Sequence, residues 1–482
     1  MIRTGVIDID TMILDMDAGR LAAAIRQGTL RSTEVTETYI RHLKRMNEKV
    51  NCLTQERFGE AMEEAARADE RVRSGHVSGR LLGVPITIKD CFHVAGMRTT
   101  AGLIHRRDIV EQEDAEIVRL LKNEGAIILG KTNTPQLCFC QETDNKLHGR
   151  TNNPWNLERT AGGSSGGEGA CIAAGGAAVG IGADIGGSIR FPSHCNGVIG
   201  FKSGNGQVPD QGNFPVFAIP EQSRMLGIGA LSKSVADARL IHEIIASHPM
   251  AKQDLSTYRI VFPGSRPAYP LGQETADALV RLRHSLQTQF VVEEETPPFY
   301  EESALIWQQL MSIDGARHIR ELMSADGKLH PVTEYVKEKL TGRSDIHAYL
   351  SWALIGAGMF KPSSRRLGEI KGLLRQGDER LNEYLKRSIL VLPVYHSAAP
   401  KHGQLYKEIF SIRRTYLIYM PYIAYANVWG LPSLIVPVAE DADGMPIGIQ
   451  LITLNGNEDA LFQLGERIEQ QFRGYVRCRQ YD

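Results

Sequence analysis

The sequence predicts an α/β protein in which a sheet is covered by helices on both faces. Three observations carry this. Between residues 82 and 230, short β-like apolar runs alternate with helical stretches, the pattern of buried strands fed by covering helices. Before residue 76 the apolar residues recur at helical spacing instead. No linker or internal repeat interrupts the 482 residues, 42 % of them hydrophobic, so the chain is long enough to bury a large core.

The N-terminal helical layer, 1–76, contains three helical patterns. Ala22, Ala23 and Ile25 mark one, Val35, Tyr39, Ile40 and Leu43 the next, and an Ala/Glu-rich stretch from Glu60 to Val72 the third. The core, 82–240, supplies candidate strands at 84–88, 126–129, 178–182, 198–201 and 227–230. Residues 258–300 add a strand–helix–strand pattern, and 300–390 form a mostly helical, variable region. Strands of the same sheet return at 391–393 and 434–438. The whole, 1–482, reads as a single domain.

Composition excludes several classes. A formal net charge of −1 gives no electrostatic reason to expect nucleic acid as partner. Seven cysteines, an odd number without framework spacing, point to reduced thiols in the cytoplasm. The first eight residues, Met1 to Asp8, carry acid where a signal peptide needs an apolar stretch, and no run of 18 apolar residues follows. The histidines lack H-E-x-x-H or any close pair, and Cys138 and Cys140 are one residue apart with no second pair nearby, so no metal is expected. Gly125 to Thr132 satisfies the P-loop pattern letter for letter. Its middle residues are apolar and β-prone, however, so they form the strand itself rather than a phosphate cradle.

The chemistry concentrates in two glycine-dense turns that bracket an apolar run: Gly162-Gly163-Ser164-Ser165-Gly166-Gly167 and Asp184-Ile185-Gly186-Gly187-Ser188-Ile189-Arg190-Phe191-Pro192. A nucleophilic serine needs its Oγ presented at a sharp turn. Successive backbone N–H groups form an oxyanion hole only where no Cβ blocks the substrate. Ile185, Gly186, Gly187 and Ser188 are the candidate donors. Lys89 ends the apolar run Gly83-Val84-Pro85-Ile86-Thr87-Ile88. An amine held there away from water is available as a base, although a lysine at a strand end also commonly snorkels to solvent. Cys91, two residues on, fits a small buried hydrophobe better than a nucleophile.

Lys89, Ser164 and Ser188 together resemble the Ser-Ser-Lys triad of the amidase signature family, and their spacing fits that family's pattern. The resemblance extends through Gly83-Val84-Pro85, Gly130-Lys131-Thr132-Asn133-Thr134-Pro135, Asn153-Pro154-Trp155-Asn156, Gly430-Leu431-Pro432-Ser433 and Asp443-Gly444-Met445-Pro446-Ile447-Gly448-Ile449-Gln450. It implies a large mixed twisted sheet and a cis peptide before Ser164. It also implies a relay in which Lys89 takes a proton from Ser164, Ser164 from Ser188, and Ser188 attacks an amide carbonyl. No cofactor is expected. The wording of Gly166-Gly167-Glu168-Gly169-Ala170 and of the turn ending Arg190-Phe191-Pro192 is similar to the fatty acid amide hydrolase branch. By that resemblance Cys138 and Phe139 lie along an acyl channel, ordinary core packing being the alternative.

The expected activity is therefore hydrolysis of a small-molecule amide with a hydrophobic acyl or aryl portion. The alternatives are a subunit of a tRNA-dependent amidotransferase that generates ammonia, and a non-catalytic scaffold. The apolar stretch 349–360 is followed by Lys361, Arg365, Arg366, Lys371 and Arg375. Such a segment, 349–375, suits peripheral contact with a membrane surface, and equally a buried helix or a homodimer contact.

Overall fold

The computed structural model describes residues 9–264, 270–409, 418 and 420–482; the acidic stretch Met1 to Asp8 lies outside the described residues. Its strands are β1 (Leu53–Glu56), β2 (Pro85–Lys89), β3 (Ile127–Thr132), β4 (Asn152–Asn153), β5 (Asn156–Thr160), β6 (Val179–Asp184), β7 (Ile199–Lys202), β8 (Gly227–Ser232), β9 (Arg259–Phe262), β10 (Val292–Glu294), β11 (Ser388–Pro393), β12 (Ser433–Glu440) and β13 (Pro446–Ile452). Eleven of them form one sheet in the order β1-β3-β2-β6-β8-β7-β12-β13-β11-β9-β10, while β4 and β5 pair as a small hairpin. The sheet is mixed. β2 runs parallel to both β3 and β6, β9 parallel to β10 and β11, and β6, β8, β7, β12 and β13 alternate antiparallel.

Every residue of β2, β3, β6, β8, β11 and β13 is buried. A strand covered on both faces has no polar side to present, which is why these segments read as continuous apolar runs rather than as alternations. β1 departs from expectation. Its sequence, Leu-Thr-Gln-Glu, carries no strand signal inside the helical layer, yet it pairs antiparallel with β3 and closes the sheet edge. Pairing with a preformed neighbour, not propensity, makes it a strand.

The N-terminal helices fall where their periodicity puts them, at Ala18–Arg26, Ser32–Val50 and Phe58–Arg73, with Val35, Tyr39, Leu43 and Met46 fully buried on the inner face of the second. The P-loop look-alike is β3 itself. Lys131 is fully buried there and donates to Phe92 O at 2.7 Å and Thr99 Oγ1 at 2.6 Å, bracing the loop after β2. Burial pushes its ammonium down to about 8.

Two elements position the candidate site. β2 ends on Lys89, and β6 ends on Asp184, immediately before the second glycine turn. The helix Gly166–Ala174, buried at every residue, follows the first turn and packs under the same strands. Residues 300–360 supply a separate helical layer, Tyr300–Met311, Arg317–Leu322, Pro331–Thr341 and Ala348–Met359, on the outer side of the second turn. Among the described residues, no helix is long and apolar enough to cross a membrane.

Candidate active site

The parallel pairing of β2 and β6 brings Lys89 to the first glycine turn across 75 residues of chain. Lys89 is fully buried, and its Nζ donates to Ser164 Oγ at 2.7 Å and to Ala183 O at 3.5 Å. The Gly163–Ser164 peptide is cis. Ser188 is 4 % exposed and lines a small cavity together with Lys89, Ser164 and Cys138. The two turns are tied by their backbones, Ser165 N–H donating to Ser188 O at 3.0 Å.

A buried ion pair shapes the second turn. Asp184 and Arg190 are both fully buried, and the guanidinium approaches the carboxylate through Nε at 3.0 Å and through its Nη2 at 3.1 Å. The same carboxylate accepts from the N–H groups of Gly187 at 2.8 Å and Ile189 at 3.0 Å, so it curls the chain around itself. Arg190 reaches further, to Ile423 O at 2.9 Å, Gln450 Oε1 at 3.1 Å and Asn427 Oδ1, and so anchors the turn to the far half of the molecule. Burial alone would raise the Asp184 carboxyl; the Arg190 charge and hydrogen bonds, with Lys202 and Asn427, hold it well below the usual carboxylate range. Nothing in the sequence marked Asp184 beyond its place at the head of the turn.

The candidate oxyanion donors are thereby narrowed. Gly187, at φ 94°, a conformation that suits glycine, spends its N–H on Asp184. The N–H groups of Ile185, Gly186 and Ser188 have no protein acceptor among the described residues. Gly186 must be a glycine for a second reason. A Cβ there would stand 2.6 Å from the Trp307 ring.

Outside the small cavity lies an open cleft walled by Phe139, Ser188, Trp307, Met311, Trp352 and Phe360. Cys138 and Phe139 both line it, delivered by a turn in which Leu137 and Cys138 take left-handed φ of 54° and 59°. Cys138 also lines the inner cavity. Its thiol is drawn down to about 6, chiefly by hydrogen bonding with Cys91, while burial raises the Cys91 thiol well above its ordinary value.

The segment 349–360 forms the helix Ala348–Met359, with Tyr349, Leu350 and Leu354 buried and Trp352, Ala353 and Gly356 on the cleft. Of the basic residues after it, Arg365 and Arg366 pair with Glu369, and Lys371 pairs with Glu221. Trp307 was not foreseen, because apolar helix residues look alike whether they face a core or a cleft, whereas Trp352 belongs to the apolar stretch 349–360 that the sequence singled out. Beneath the site, Glu168 accepts from Thr87 Oγ1 at 2.5 Å, and burial pushes its carboxyl up to about 8.

Residues 34–321 and 360–462 match the family model Amidase. The chain is similar to the fatty-acid amide hydrolase 2-B of Danio rerio, at 32 % identity over 97 % of this chain and 91 % of the relative. It is also similar to the indoleacetamide hydrolase of Bradyrhizobium diazoefficiens, at 31 % identity over 93 % of this chain and 85 % of the relative. Among solved structures, an amidase superposes with a TM-score of 0.80 at 26 % identity, covering 95 % of this chain and all of the other.

Proposed function

The chain belongs to the amidase family of amide-hydrolysing enzymes, and from that premise we propose that it is a serine amidase that forms its acyl-enzyme on Ser188 and prefers amides with a hydrophobic acyl or aryl portion. The observation that carries this reading is the fully buried Lys89 amine bonded to Ser164 Oγ at the floor of an apolar cleft that Ser188 also lines.

Lys89 accepts the Ser164 proton along that 2.7 Å contact. Ser164 accepts the proton of Ser188, and Ser188 Oγ bonds to the amide carbon. The negative charge that moves to the carbonyl oxygen meets the unoccupied N–H groups of Ile185, Gly186 and Ser188, where each well-placed donor contributes roughly 3–4 kcal/mol in comparable hydrolases. As the tetrahedral centre collapses, the carbon–nitrogen bond breaks. The proton returns from Lys89 through Ser164 to the leaving nitrogen, which departs as amine or ammonia. Water then repeats the sequence on the ester, its proton going to the relay, and releases the acid with Ser188 regenerated.

The walls support the substrate class. Phe139, Trp307, Met311, Trp352 and Phe360 offer a mostly apolar enclosure, which favours an apolar group next to the scissile amide. The relatives named above act, by their names, on fatty-acid amides and on an indole-bearing amide. Long-chain acyl, arylacetyl and short aliphatic amides assayed side by side test the preference. Ser188→Ala should lose turnover to background while its melting temperature stays within about 2 °C of wild type, since the hydroxyl is small and its backbone unchanged. A fluorophosphonate probe should label Ser188. Turnover or labelling that persists in Ser188→Ala would place the nucleophile elsewhere.

A further inference from the structure

Two carbonyls of the second glycine turn are held from outside it by side chains of the cleft. Trp307 Nε1 donates to Ile185 O at 2.8 Å, and Gln141 Nε2 donates to Gly186 O at 2.9 Å. A trans peptide unit is planar, with its C=O and the N–H of the next residue pointing opposite ways. Fixing a carbonyl therefore aims the N–H across the same peptide bond. The unit between Gly186 and Gly187 is held at both ends, by Gln141 on the carbonyl and by Asp184 on the N–H. The unit between Ile185 and Gly186 is different. Its N–H has no protein acceptor among the described residues, and Trp307 is the side chain that holds its carbonyl.

Trp307 is also a wall of the cleft. It sits on the helix Tyr300–Met311, its ring lies where a Cβ on Gly186 would be, and it lines the same space as Trp352 and Phe360. An apolar group entering the cleft packs on the indole, and the indole nitrogen holds the peptide that carries a charge-stabilising donor.

Building on the amidase reading, we propose that Trp307 is a positioning residue that couples filling of the apolar cleft to alignment of the Gly186 N–H, so that binding of a hydrophobic substituent is expressed in kcat and not only in KM. Interactions strengthened in the transition state raise kcat, whereas uniform binding lowers KM alone. A wall that touches substrate on one face and the oxyanion loop on the other is a means of converting the second into the first.

The test is Trp307→Phe, which keeps an aromatic wall and removes the N–H. In wild type, kcat should rise from a short aliphatic amide to an arylacetyl or long-chain amide. In Trp307→Phe that rise should shrink by about tenfold, less than the 10²–10³ lost when a donor is removed outright, while KM for the larger amides stays within about threefold. A variant that keeps the wild-type rise in kcat, or that loses affinity alone, overturns the proposal and leaves Trp307 as wall only. Hydrogen exchange on the wild-type enzyme gives a second readout if the variant does not fold: a peptide spanning 184–190 should gain protection when indole, which has no carbonyl, occupies the cleft, and unchanged exchange with indole bound overturns the coupling. Failure of the amidase reading would look different, as wild-type protein inert on every amide with Ser188 unlabelled by fluorophosphonate.

Discussion

The floor of the cleft and its outer wall are built on opposite principles. On the floor, key groups are fixed by polar contacts sealed from water: Lys89 on Ser164, Asp184 on Arg190, Glu168 on Thr87. Between 300 and 360 the wall is fixed by apolar packing of helices, with Leu310, Leu350 and Leu354 buried and Trp307, Trp352 and Phe360 turned to the cleft. Buried polar contacts are directional, so a small displacement costs much of their value, whereas apolar packing tolerates substitution of similar volume. The difference teaches where the proposed site can vary: in that reading the floor sets the reaction and the wall sets which amide reaches it.

Substitutions on the two sides should therefore fail differently. The largest effect falls on Lys89. Lys89→Ala removes the base of the proposed relay, and kcat should drop by about 10²–10⁴-fold for small and large amides alike, measured at saturating substrate. Loss confined to large amides would assign Lys89 to substrate binding instead. Next comes Asp184→Asn, which leaves Arg190 buried without its counter-charge. A broken buried pair costs roughly 3–5 kcal/mol, so chemical denaturation should show that loss in stability together with a loss of activity. A variant as stable as wild type would mean that the turn is held by its backbone alone.

On the wall the expected effects are smaller and selective. Phe139→Ala should raise KM for arylacetyl or long-chain amides about tenfold and leave it nearly unchanged for a short aliphatic amide, with kcat on the latter preserved. Equal losses across substrates would make Phe139 a packing residue. The smallest effect concerns Glu168, which sharpens the comparison because it is a buried carboxyl whose titration is set mainly by burial. With its carboxyl raised to about 8 by burial, Glu168 contributes stability that is fully present below the unfolded carboxylate range, near about 4.3, and is lost as pH rises through about 8. Glu168→Gln cannot titrate, so the wild type should lose a few degrees of melting temperature relative to the variant between pH 5 and pH 9. A pH-independent gap would show that the carboxyl keeps one protonation state throughout.

Much of the floor was legible in the sequence, and the reason is local. Ser164 and Ser188 stand in glycine-dense turns and Lys89 ends an apolar run that reads as a buried strand, each a short-range signal, while their joint role is what the resemblance to the amidase signature family implied. The alternation of strands and helices from 82 to 230 likewise follows from local periodicity. β1 escaped because Leu53–Glu56 is a strand only by virtue of β3 beside it.

The sequence by itself determined the α/β class and the strands that carry the two turns, because backbone conformation and burial pattern are properties of a few neighbouring side chains, and the family resemblance it carries named the candidate reactive residues. Tertiary structure alone decided three other things. It brought Lys89 against Ser164, it committed the Gly187 N–H to Asp184, and it set Trp307, 122 residues from Ile185, on that residue's carbonyl. Such contacts depend on how the sheet is ordered and on which helix caps it, and no window of neighbouring residues contains that information.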